Sequence, residues 1–73
     1  MQYDVFLKSF GKEIKKLRID KDLSQEDLAD KASIHVTLLS RIENGKANVT
    51  IENIFKIASS LNVTLCDLFK FQK

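Results

Sequence analysis

Between residues 25 and 44 the chain has room for two helices and very little else. The first, QEDLADKA, follows Ser24 as N-cap, with Asp27 three residues on in a near capping-box arrangement. Its inner face is Leu28, Ala29 and Ala32. The second begins near Val36, carries Leu38, Leu39 and Ile42 on one side, and stops at Gly45, a residue suited to the left-handed position past a helix end. Only about three residues join them, so the two helices must meet at a steep angle. That corner constrains the fold more than any other stretch.

The rest of the chain must be divided without obvious punctuation, because it has no proline and only two glycines. Leu7, Phe10, Ile14 and Leu17 step by three, four and three, which predicts an amphipathic helix over residues 3–20 with Gly11 tolerated inside it. Asp20 to Leu23 breaks that pattern. Thr50 caps a further helix whose predicted inner side is Ile51, Ile54, Phe55, Ala58 and Leu61. Thr64 with Asp67 caps a last short helix bearing Leu65, Leu68 and Phe69. No segment alternates with period two, and there is no repeat or low-complexity stretch. The expectation is one compact all-α domain of five short helices over residues 1–73, with helix-turn-helix geometry at the corner.

The second face of the third helix, Val36, Thr37, Ser40, Arg41 and Asn44, is not explained by packing. Charge gives a first hint of what it meets. Net charge is only +2, but Lys8, Lys12, Lys15, Lys16, Arg18 and Lys21 place six of the twelve basic residues in one short segment, and Glu26, Asp27 and Asp30 follow. Such a cluster either meets phosphate or is a solvated helix surface. Catalysis has no support: no nucleophile–base pair, ligand cluster or Gly-rich phosphate loop is present, and no cofactor or small-molecule ligand is expected. The single cysteine, Cys66, and single histidine, His35, exclude a disulfide framework and make no metal site. Cys66 reads as a small hydrophobe. The longest apolar run, Val5 to Leu7, is far short of the roughly 20 residues that span a bilayer, and an acid stands where a signal peptide is basic. A cytoplasmic chain without membrane contact is expected.

The stretch QEDLADKASIHVTLLSRIEN, residues 25–44, resembles the helix-turn-helix of the phage repressor and Cro (XRE-type) family. Gln25 opens the motif, Ala29 is small where its helices cross, and Leu28, Ile34, Leu39 and Ile42 are apolar at the core positions. The resemblance extends over residues 9–69, through FGKEIKKLR before the motif, RIENGK after it, and IENIFKIASSLNVTLCDLF at the end. Asn48-Val49-Thr50 on so short a chain is similar to controller proteins of restriction-modification systems, a pattern that small phage or plasmid repressors share. The resemblance implies a lambda-repressor-like fold and a sequence-specific transcription regulator that binds a palindromic operator in double-stranded DNA as a homodimer. The alternative is an antitoxin-like protein-interaction module on the same fold.

It also implies roles for individual residues. Val36, Thr37, Ser40 and Arg41 would read bases, Arg41 by forking onto guanine or else clamping a phosphate, and Val36 by packing on a thymine methyl. Ser24, Gln25, Asn44, Lys46 and Asn48 would position the protein on phosphates, although capping alone accounts for Ser24 and Lys46 is equally a plain surface lysine. Arg18 and Glu43 are expected to form a structural ion pair. Ser33 stands where the family has glycine in the turn, and His35 where it has a serine or threonine cap, so His35 is a poor cap that either meets a phosphate or is a bystander. Finally, Leu61, Leu65, Phe69 and Phe71 leave more apolar surface at the C-terminal end than one small core needs, which marks them as the expected dimer interface; the alternative is that Phe69 completes the core of its own chain and Phe71 frays.

Overall fold

The computed structural model describes residues 2–70, and every regular element among them is helical. Helix α1 spans Tyr3–Asp20, α2 Gln25–Ala32, α3 Val36–Glu43, α4 Ile51–Leu61 and α5 Leu65–Leu68. The starts of α2, α4 and α5 are fixed by side chains. At α2 the Asp27 amide donates to Ser24 Oγ at 3.0 Å while the Ser24 amide donates to the Asp27 carboxylate at 3.0 Å. Thr64 and Asp67 close the same reciprocal box at α5, and Thr50 Oγ1 accepts from the Asn53 amide at α4. His35 precedes α3 without capping it, as expected of histidine.

The first four helices end in one stereotyped way. A residue in the left-handed region follows each: Asp22 (φ 58°), Ser33 (φ 56°), Gly45 (φ 70°) and Asn62 (φ 59°). The next amide then donates five residues back, Leu23 to Arg18, Ile34 to Ala29, Lys46 to Arg41 and Val63 to Ala58, at 2.8–3.1 Å. This is the Schellman arrangement, which satisfies carbonyls left over at a helix end. Leu23, Ile34 and Val63 then fold back against the core. Only after α3 is the corresponding residue a lysine, Lys46, exposed to solvent. Ser33 adopts the conformation that glycine would supply, at a cost of order 1 kcal/mol.

Phe10 and Ile14 of α1, Leu28, Ala29 and Ala32 of α2, and Leu39 and Ile42 of α3 meet Ile54, Ile57, Ala58 and Leu61 of α4 in one core, closed by Ala47 and Leu68. Helix α2 lies against α3 and α4, while α1 lies against α3 and α5. Two expectations are corrected. Ile51 and Phe55 do not face inward but stand 76% and 61% exposed, and Ile57 takes the inner place instead. Helix α4 is apolar at 51, 54, 55, 57, 58 and 61, so two overlapping stripes satisfy helical periodicity and only packing selects between them. Gly11, moreover, is required rather than tolerated. A Cβ there would run into the Ile42 carbonyl oxygen and stand 2.6 Å from that of Glu43, so the glycine is what lets α1 meet the end of α3.

Candidate nucleic-acid interface

Helix α3 is held by its inner side, where Leu39, Ile42 and Glu43 are buried. That leaves Val36, Thr37, Arg41 and Asn44 exposed and Ser40 half-buried on a continuous outer stripe. The turn before α3 and the loop after it bracket this stripe. Arg41 Nη2 donates to the Lys46 carbonyl at 3.0 Å, folding the guanidinium toward the α3–α4 loop, where Asn44, Lys46 and Asn48 are exposed. One Arg41 donor is thereby used, and the rest of its planar fork is available.

Glu43 organises the opposite flank. Arg18 meets it with two donors, Nε to Oε2 at 2.7 Å and Nη2 to Oε1 at 3.1 Å, and Arg18 Nη1 caps the Leu23 carbonyl at 2.8 Å. Both partners are buried, so the expected ion pair is present and ties α1, the α1–α2 turn and α3 together. Gln25, expected only to face phosphate, also donates from Nε2 to Glu43 Oε1 at 3.0 Å. No local signal in the sequence could have shown this, because it joins the starts and ends of helices far apart in the chain. Ser24 spends its hydroxyl oxygen on the α2 cap. The Ser24 amide, and secondarily its hydroxyl, hold the Asp27 carboxyl below the usual carboxylate range.

One lysine of the basic segment takes a place that its sequence position does not reveal. Lys8 of α1 lies against Gly45, and a Cβ there would meet Lys8 Cγ at 2.7 Å. Lys8, Arg41 and Lys46 therefore gather around the end of α3, none with a carboxylate partner among the described residues. On the other side, Glu26 and Asp30 of α2 share an open hollow of about 490 Å³ with His35 and Val36. Positive and negative surface are thus segregated across the stripe.

The expected dimer residues divide. Leu61 is a correction: it is fully buried in the core of its own chain and has no surface to offer a partner. Leu65 and Phe69 are 40% and 36% exposed, although Phe69 also stacks on Phe6 and Phe10 with ring centroids 6.1 and 5.5 Å apart. Phe71 lies outside the described residues. Among the described residues no group of acids, histidine and cysteine is placed to hold a metal, and no helix is long and apolar enough to cross a membrane.

Residues 14–68 match the family model described as helix-turn-helix. The chain belongs to the helix-turn-helix family. Among helix-turn-helix relatives, control protein C.MunI of a Mycoplasma species is 49% identical over 61 residues, 82% of each chain. Control protein C.BamHI of Bacillus amyloliquefaciens is 41% identical over 63 residues, covering 85% of this chain and 78% of that one. The crystal structure of the restriction-modification controller protein C.AhdI from Aeromonas hydrophila superposes with a TM-score of 0.88, at 35% identity, over 89% of this chain and 98% of that one.

Proposed function

We propose that this helix-turn-helix chain is a sequence-specific DNA-binding regulator of a restriction-modification operon, acting as a homodimer on a palindromic operator. The observation that carries the reading is the outer stripe of α3, presented by a packed inner side and flanked at its C-terminal end by cations that have no carboxylate partner among the described residues. The relatives named as control or controller proteins favour the restriction-modification role over a phage repressor.

In this reading α3 enters the major groove, where Val36, Thr37, Ser40 and Arg41 meet base edges. Gln25 and Ser24 at the start of α2, and Asn44, Lys46 and Asn48 past α3, engage phosphates. A second copy pairs through the apolar surface that α4 and α5 leave uncovered, Ile51, Phe55, Leu65 and Phe69. One domain then suffices for recognition and pairing.

Selection of bound sequences from a random DNA pool tests this directly. A two-fold symmetric consensus is expected, with affinity falling steeply as salt rises because phosphate contacts release counterions. Arg41→Ala is expected to relax preference at one position by about 1–3 kcal/mol, while Lys46→Ala weakens all sequences alike. No enrichment, with binding only to a protein partner, would favour the antitoxin-like interaction module instead.

A further inference from the structure

We propose that Glu43 is a positioning residue for DNA: it fixes the polarity of the Gln25 side-chain amide, so that the buried ion pair aims a hydrogen-bond donor from the start of α2 at a backbone phosphate. This rests on the reading that Gln25 touches phosphate.

The oxygen and nitrogen of a glutamine amide are nearly equal in size, and a free side chain presents either one outward. A phosphate accepts hydrogen bonds and repels a carbonyl oxygen. What decides which end the ligand meets is therefore whatever the amide touches on its protein side. Here it touches a carboxylate already held by two guanidinium donors, and a carboxylate paired in this way only accepts. Glu43 Oε1 takes one N–H from Arg18 and one from Gln25, at 3.1 and 3.0 Å. The Gln25 nitrogen is thus turned to Glu43, and its second hydrogen has no other protein partner among the described bonds. Half-buried Gln25 cannot swing widely, so this donor is ordered before DNA arrives and less rotamer freedom is lost on binding. The free amides and positive dipole end of α2 favour an anion at the same place.

A double-mutant cycle of Gln25→Ala and Glu43→Gln on operator affinity tests the coupling. An amide at position 43 offers both donor and acceptor, so it no longer dictates how Gln25 lies. Each single change is expected to weaken binding about three- to tenfold on any sequence, and the double variant no more than Gln25→Ala alone. Losses that multiply would overturn the proposal while leaving Gln25 as a phosphate contact. Unchanged affinity in Gln25→Ala, with the unmodified protein still bound, would remove that contact and the proposal with it. Should Glu43→Gln not fold, the unmodified protein decides alone: ¹⁵N relaxation of the Gln25 side-chain amide in the absence of DNA is expected to give an order parameter near the rigid value of about 0.85, and a value below about 0.6 would overturn it.

Discussion

Glu43 is buried with its charge because three donors, two from Arg18 and one from Gln25, replace the water it gives up. Removing the carboxylate leaves a buried guanidinium with its Leu23 carbonyl contact and no counter-charge. Glu43→Ala is accordingly expected to cost about 3–5 kcal/mol, whereas Lys46→Ala, on an exposed side chain, should stay within about 0.5 kcal/mol. Urea titrations of the two variants check this, and equal midpoints would refute it. At this scale the sequence was informative about residue types and less so about their company. The outer stripe of α3 follows from spacing alone, and the Arg18–Glu43 pair from resemblance. Lys8 beside Gly45 and Gln25 beside Glu43 depend on where distant helices come to rest, which no local pattern encodes.

Helix boundaries were legible for a different reason: the caps that fix them are short-range chemistry. Ser24 with Asp27, and Thr64 with Asp67, name the starts of α2 and α5 before any packing is considered. Their boxes also titrate. Hydrogen bonds from the Ser24 and Thr64 amides and hydroxyls, with Lys70 added at Asp67, hold both carboxyls below the usual range in the folded chain. A depressed folded pKa contributes stability that is complete above the ordinary carboxylate value of about 3.9 and is lost as pH falls through the folded value. Asp27→Asn should therefore flatten the acid limb of a thermal-stability profile below about pH 4 relative to the unmodified protein. An unchanged limb would mean the box is not closed in solution. The inner face of α4, unlike its cap, is not legible, because nearly every turn of the helix offers two apolar faces. The need for glycine at position 11 is not legible either, because propensity speaks only of its own helix. Glycine to alanine within an exposed helix gains about 1 kcal/mol, yet Gly11→Ala should lose about 1–3 kcal/mol here, since the added methyl meets the carbonyls of α3. A rise in melting temperature would show that α1 and α3 are not so close.

One chain measures 31 by 21 by 20 Å. Two such bodies paired about a two-fold axis can set their recognition helices about 34 Å apart, one turn of DNA. Ile51 and Phe55, which the packing turns outward, enlarge the uncovered apolar surface beyond Leu65 and Phe69. Because Phe55 contributes little to its own chain's core, Phe55→Asp should leave the helices intact by circular dichroism while sedimentation equilibrium reports a monomer. A variant that still sediments as a dimer would place the pairing surface elsewhere. A domain of this size buries only about 60% of its unfolded surface, so the second copy should also raise the melting temperature as protein concentration rises.

Four of the chain's reversals are closed by an amide that reaches back only five residues. Little sequence must therefore be searched before each corner is made, and helical proteins with such near-neighbour contacts fold in about microseconds to milliseconds. Ribosomal synthesis, at roughly 5–20 residues per second, is far slower. Folding then adds no delay after a new chain is released. In a dimeric regulator, the lag before the operator fills would be set by how fast two finished copies accumulate and meet, which would make such a regulator a counter of its own abundance rather than a slow-maturing timer.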